Sequence, residues 1–248
     1  MLLSHCQDQV LTLSFNRPDA LNAFTPDLLQ ELTGQLQEVA TRDDVRVVVL
    51  RGEGRAFSAG VDLKVLLGIS PEAGRVGTIF DGPAYDAANA IRKTPVPVIA
   101  RVHGFCFTGA LELALHADFI LTTSTTKFGD THAKWGLRPT WGMSQNLARA
   151  VGVRRARELS FTAKTFSGQE ALAWGLANHA VEDEAALDAL TTEIADAIVA
   201  GSPGACSAYK QLYAVHEQDL GLETALDREL EMEFPEITDT ADRLKGFG

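Results

Sequence analysis

The sequence predicts an α/β fold, with a layered core over residues 1–150 and a helical region over residues 151–248. Three observations carry this. Short β-branched runs alternate with segments of helical periodicity in the first part, no Pro/Gly/Ser-rich linker divides it, and after Val151 helical patterns dominate with few strand signals. With 248 residues, 46% of them hydrophobic, the chain is long enough to bury the core of one large domain or of a domain with an appendage.

Taken in order, Val10–Phe15 (VLTLSF) alternates apolar residues and is closed by Asn16-Arg17-Pro18, which reads as a strand and its turn. Thr25-Pro26-Asp27 offers an N-cap with proline at the first helical position. Leu28, Leu29, Leu32, Leu36 and Val39 then recur at helical spacing, so an amphipathic helix is expected from Thr25 to about Thr41. Val45–Leu50 (VRVVVL) and Pro95–Val102 (PVPVIARV) are too short and too β-branched for ordinary helices and read as buried strands. A helix-like stretch, Ala110–Ala117, precedes a third such strand at Asp118–Thr122. Beyond Val151, helices are expected over Arg154–Phe161, Gly168–Trp174, Asp183–Ala200, Pro203–His216 and Gly221–Phe234. The chain ends at Lys245-Gly246-Phe247-Gly248 without a helix stop, and a further C-terminal segment is expected.

Composition excludes several classes of function. The formal net charge is −11 and no Lys/Arg run is present to neutralise a phosphate backbone, so no nucleic-acid partner is expected. Cys6, Cys106 and Cys206 are odd in number, far apart and without metal-ligand spacing, which suggests neither a disulfide framework nor a zinc site and fits a reducing cytoplasm. The N-terminus MLLSHCQDQVLTLSF lacks a basic region followed by an apolar stretch, and no run approaches the length of a membrane span, so no membrane partner is expected. No P-loop, GxSxG or HExxH pattern is present.

Two junctions attract chemical interest. Gly52 to Leu63 (GEGRAFSAGVDL) and Val102 to Glu112 (VHGFCFTGALE) each run from a buried strand through a small-residue loop into a helix, where backbone N–H groups are left unpaired. Such loops are more often plain tight turns. Gly52-x-Gly54 begins like a dinucleotide fingerprint, but Phe57 takes the third glycine's place. Glu112 is a lone acid in an apolar stretch (ALELALHAD), costly to bury unless used or paired. An ion pair on a half-exposed face explains it equally well.

The segments AFSAGVDL (Ala56–Leu63) and HGFCFTGALELALHADFILTT (His103–Thr123) resemble, in order and separation, the two signature segments of the crotonase, or enoyl-CoA hydratase/isomerase, family. Asn16-Arg17-Pro18-x-Ala20-Leu21-Asn22-Ala23 and Gly136-Leu137-Arg138-Pro139 resemble further landmarks, and the resemblance spans essentially the whole chain. It implies a spiral of ββα units with a C-terminal helical trimerisation region, assembled as a homotrimer or a dimer of trimers. It also implies an acyl-CoA substrate and no cofactor beyond the coenzyme A of that substrate.

Residue by residue, the resemblance implies an oxyanion hole from the N–H groups of Val61 and Gly109, a coenzyme A path along Val61, Asp62, Leu63 and Lys64, and Glu112 as an acid that activates water. Where the family usually has three glycines this chain has Thr108-Gly109-Ala110, which implies a narrower or differently shaped channel, and a Cβ at Gly109 is expected to block the thioester. The second acid of a hydratase, in Phe-Gly-x-Pro-Glu, is replaced: Phe128-Gly129-Asp130-Thr131-His132 puts His132 there. Imidazole can transfer a proton near neutrality, and orienting water or capping the loop is the other reading. Asp130 is a candidate partner, and Trp135 and Trp141 are read as packing or acyl-pocket walls. The expected activity is hydration of 2-enoyl-CoA or its reverse, the alternatives being double-bond isomerisation, thioester hydrolysis, or thioester binding with little turnover.

Overall fold

The computed structural model describes residues 1–68 and 72–247. Strands β1 (Leu2–Gln7) and β2 (Val10–Phe15) form an antiparallel hairpin whose turn residues, Asp8 and Gln9, are both left-handed, the twist that a two-residue hairpin needs. From β2 onward the sheet is parallel, in the order β2, β3 (Val47–Gly52), β4 (Val98–Val102), β6 (Phe119–Thr123), β9 (His179–Val181). Side chains alternate across it. Val48, Leu50, Val98, Ala100 and Ile120 enter the main core, while Val47, Val49, Ile99 and Leu121 pack against Leu187 and Ala195 of α8 (Glu184–Ala200) on the other face. Burial on both faces is why these strands read as unbroken apolar runs.

Each central strand is followed by a short second segment. Ser58 follows β3, β5 (Phe105–Phe107) follows β4, and β7 (Lys127–Gly129) follows β6; Ser58 bridges Cys106, and β5 pairs with β7, all in parallel. Strand β8 (Phe166–Ser167) closes that small sheet antiparallel to β7. Helices complete the turns: α2 (Leu63–Leu67) and α3 (Thr78–Lys93) after the first, α4 (Gly109–Ala114) after the second, and a 3-10 turn (His132–Trp135) after the third. This is the expected ββα spiral. Because the three short segments are parallel and adjacent, their C-terminal ends, which lead to Val61, Gly109 and His132, emerge along one edge.

Local signals were faithful where one element carries them. Helix α1 (Pro26–Val39) starts under Thr25, whose Oγ1 accepts the Leu28 N–H at 3.2 Å, and it buries the same five apolar residues that its periodicity singles out. Helix α3 was not expected. Pro83 lies inside it and its buried face is mostly alanine (Ala84, Ala87, Ala88) with Phe80 and Ile91, a weak signature that packing against α1 completes.

After α5 (Met143–Val151) and α6 (Val153–Thr162), the stretch read as helical also contains β8 and β9, each fixed by pairing with a distant strand. Helices α7 (Gly168–Ala173), α8 and α9 (Pro203–His216) lie as expected, followed by α10 (Leu222–Glu231) and α11 (Thr240–Leu244). Gly248 of the terminal segment lies outside the described residues. No residue of α10 is buried, and Leu222, Leu226 and Leu230, one turn apart, are 74%, 54% and 86% exposed.

Candidate active site

The site begins with two backbone donors. Phe24 donates its N–H to Gly60 O at 2.7 Å and accepts from the Asp62 N–H at 2.9 Å. Alternation along the extended segment turns the intervening Val61 N–H the other way, where no acceptor among the described residues takes it. Gly60 has φ +92°, and a Cβ on it would run into Thr108 Oγ1, 2.6 Å from Phe107 O and 3.5 Å from Gly109 N. The Gly60–Val61 segment therefore lies directly against the start of α4, where the Gly109 N–H also meets no acceptor among the described residues, as the first turn of a helix leaves it.

Asn22 holds this loop in place. Its side chain donates to Glu53 O and Ala56 O, both at 2.8 Å, and accepts from the Arg17 N–H at 2.8 Å. Arg17 in turn pairs with Asp62 at 2.8 Å, while Asp62 caps α2 by accepting the Lys64 N–H at 2.9 Å. Burial pushes the Asp62 carboxyl up, but the Arg17 hydrogen bond and the Lys64 N–H outweigh it and hold the group below its ordinary value. Asp62 thus anchors the loop that presents Val61.

One helical turn beyond Gly109, on the same face of α4, stands Glu112, 1% exposed. Its Oε1 accepts the N–H groups of Trp141 (3.0 Å) and Met143 (3.1 Å), and its Oε2 lies 3.5 Å from His132 Nε2. His132 Nδ1 is 2.7 Å from Asp130 Oδ1, and Asp130 Oδ2 accepts the Ser160 hydroxyl at 2.6 Å. A carboxylate only accepts, so Nδ1 carries the hydrogen toward Asp130 and Nε2 faces Glu112.

The charges follow from these contacts. Burial raises Glu112 above the ordinary glutamate value, opposed by the His132 charge and the two N–H bonds. For His132 burial works downward, but the bond to Asp130 and the negative charge of Glu112 outweigh it and raise the imidazole. Asp130 is lowered, because the His132 and Ser160 hydrogen bonds overcome its burial. The result is a buried Ser160–Asp130–His132–Glu112 chain, ending beside two free N–H groups.

The cleft in front of this edge has room for about 540 Å³ and is lined by Val61, Asp62, Leu63, Lys64, Thr108 and His132, with Trp135, Leu137 and Ala163 among the apolar walls. That size is typical of a small-molecule site. Lys64 and Lys134 also line it; both are exposed, and neither forms an ion pair among the described residues. A second cavity of about 350 Å³ lies across the sheet beside α8, lined by Arg51, Arg101 and Asp188. There Asp188 already pairs with Arg101 at 2.7 Å, and none of Val61, Gly109, Glu112 and His132 lines it.

The residues singled out from the sequence therefore come together, and some change meaning. A Cβ on Gly109 would collide with the Trp141 ring, whose Cε3 would stand 3.0 Å away. Such a Cβ would displace Trp141, whose backbone N–H bonds Glu112. Trp141 is buried packing, whereas Trp135 is 57% exposed and lines the cleft. Ser160 and Lys134 were missed, and Asn22 was read only as part of a landmark segment with no role of its own. Lys134, a cation beside the substituted acid, also left a signal in the sequence.

Thr108 sits at φ 45°, ψ −114°, a conformation that non-glycine residues avoid, at a cost of about 1–3 kcal/mol. Thr108→Gly is expected to raise stability by about 1 kcal/mol after the added chain entropy of glycine, a Tm rise of about 2–4 °C for a chain of this size. A lower Tm in thermal unfolding would show that the threonine is unstrained.

The chain belongs to the enoyl-CoA hydratase/isomerase family, which matches residues 5–247. A short-chain-enoyl-CoA hydratase of Clostridium acetobutylicum is 33% identical over 96% of this chain and 89% of that one. The 1,2-epoxyphenylacetyl-CoA isomerase of Escherichia coli is 33% identical over 75% of this chain and 72% of its own length. The crystal structure of an enoyl-CoA hydratase from Bacillus anthracis superposes with a TM-score of 0.90 at 31% identity, covering 99% and 94% of the two chains. The chain is thus similar to enzymes named for hydration and for isomerisation of CoA thioesters.

Proposed function

We propose that the protein hydrates 2-enoyl-CoA thioesters to 3-hydroxyacyl-CoA, or runs the reverse dehydration. The observation that carries this is the meeting of two free N–H groups with a buried carboxylate–imidazole pair, of which Val61 and His132 line the cleft while Gly109 and Glu112 lie behind its wall. In this reading the thioester oxygen lies between the Val61 and Gly109 N–H groups, which act as an oxyanion hole for the enolate. One such donor is worth about 2.7–4 kcal/mol of transition-state stabilisation.

Glu112 takes a proton from water as the water oxygen bonds to C3, the C2=C3 π pair becomes the C1=C2 bond of the enolate, and the carbonyl π pair moves to the thioester oxygen. As the enolate collapses, C2 takes the Nε2 proton of the His132 imidazolium. The proton left on Glu112 then returns to His132 across the 3.5 Å between them. The steps consume one water and no cofactor, coenzyme A entering only with the substrate. Lys64 and Lys134 place unpaired ammonium groups at the cleft for coenzyme A phosphates, in a chain whose net charge of −11 otherwise repels them.

Incubation with 2-enoyl-CoA thioesters of varied acyl length should bleach the conjugated chromophore and add the mass of one water. Isomerisation, the activity in the Escherichia coli relative's name, would leave the mass unchanged, and hydrolysis would release free coenzyme A. No conversion of any thioester would reduce the reading to binding.

We further propose a homotrimer or dimer of trimers in the cytoplasm. The exposed stripe Leu222, Leu226 and Leu230 supports assembly, since apolar side chains aligned on one exposed helix face suit a protein–protein contact. The free thiols of Cys6, Cys106 and Cys206 suit a reducing compartment. Among the described residues no helix is long and apolar enough to cross a membrane. Light scattering should give three or six times the 26.7 kDa of one chain; a monomer at micromolar concentration would refute assembly.

A further inference from the structure

We propose that Asp130, braced by Ser160 of α6, is a positioning residue that fixes the orientation and charge of His132, so that the helical region completes the acid–base pair. Asp130 is 2% exposed. Its Oδ1 accepts both the backbone N–H (3.2 Å) and Nδ1 (2.7 Å) of His132, and Oδ2 accepts the Ser160 hydroxyl at 2.6 Å. Both carboxylate oxygens are thus committed to orientation, and Nδ1 is used up. Only Nε2 is left to face Glu112 and the cleft.

The bare structural account is that Asp130 caps the 3-10 turn through the His132 N–H. That role needs an oxygen and no charge, and asparagine would serve it equally. Asparagine can keep Oδ1 on both His132 groups and turn its amide to the Ser160 oxygen, so Asp130→Asn removes the charge while preserving the geometry. The charged groups bearing on the ring are Asp130 and Glu112 of α4, and α6 presents the Ser160 hydroxyl. Without Asp130's charge the imidazolium loses one of its two anionic neighbours.

The kinetic arm of the test rests on the hydratase reading; the spectroscopic arm does not. Kinetics with the four-carbon 2-enoyl thioester crotonyl-CoA should show the alkaline limb of kcat for Asp130→Asn moved down by about 1–3 pH units, with KM within about twofold, since Asp130 does not line the cleft. Ser160→Ala keeps the charge but frees the carboxylate to turn, so kcat should fall severalfold with the limb in place, and Ser160→Thr should restore it.

Independently of turnover, nitrogen NMR of 15N-histidine-labelled protein should show Nε2 of His132 titrating and Nδ1 protonated throughout. In Asp130→Asn the titration should lie at lower pH. An Asp130→Asn variant whose His132 titrates as in the parent overturns the proposal, as does Ser160→Ala with unchanged kcat. If no enoyl-CoA is turned over, the hydratase reading fails and the NMR titration still decides the role of Asp130.

Discussion

Glu112→Gln is expected to lower kcat by about 10²–10⁴-fold, the usual worth of a positioned acid–base group, with the fold in place and KM little changed. The structure explains why this variant isolates the chemistry. Oε1 of Glu112 satisfies the N–H groups of Trp141 and Met143 at the head of α5, and a glutamine oxygen does the same. Only Oε2, the atom facing His132, becomes an amide nitrogen, which cannot take a proton from water. Glu112→Ala would be a poorer probe, because it leaves two buried N–H groups without an acceptor, at about 1–3 kcal/mol each. The measurement is steady-state hydration of crotonyl-CoA, with circular dichroism to confirm folding. Full activity in Glu112→Gln would remove the base from the mechanism and leave thioester binding with unassigned chemistry.

How far the sequence spoke depends on the range over which each feature is determined. Helix α1 was legible because its cap, proline and apolar stripe lie within 15 residues of one another and its buried side shows as a period. Strands β5 and β7 have three residues each and exist by virtue of pairing with each other, so no local pattern announces them. Yet those strands bring Gly109 and His132 to one edge. Val61, Gly109 and Glu112 were singled out through a paired motif, and the fold brings Val61 against the start of the helix that carries the other two. Asp130 was visible as a neighbour of His132, but only folding shows its Oδ1 at 2.7 Å from Nδ1. Ser160 stands 30 residues further on, in a helix whose periodicity speaks of packing alone, and only tertiary structure could have found it.

His132→Gln tests the departure from the two-glutamate arrangement of hydratases, through rate and pH profile together. Two limbs are expected in the parent. In the proposed mechanism Glu112 must be ionised to take water's proton, and its raised value puts the acidic limb above the usual glutamate value of about 4.3. His132 must be protonated to deliver a proton to C2, so activity falls as pH rises through its raised value, on the alkaline side of about 6.5. The two limbs report the pair, since the residues share a contact. His132→Gln has no group to lose a proton there, and the alkaline limb should vanish while kcat falls by about 10²-fold or more. The acidic limb should also move up, because the positive charge that opposes the effect of burial on Glu112 is gone. A glutamine can still hold water by hydrogen bonds, so a residue that only orients water would be replaced with a small loss and both limbs kept. Retention of the alkaline limb in this variant assigns that titration to another group and leaves His132 with the orienting role.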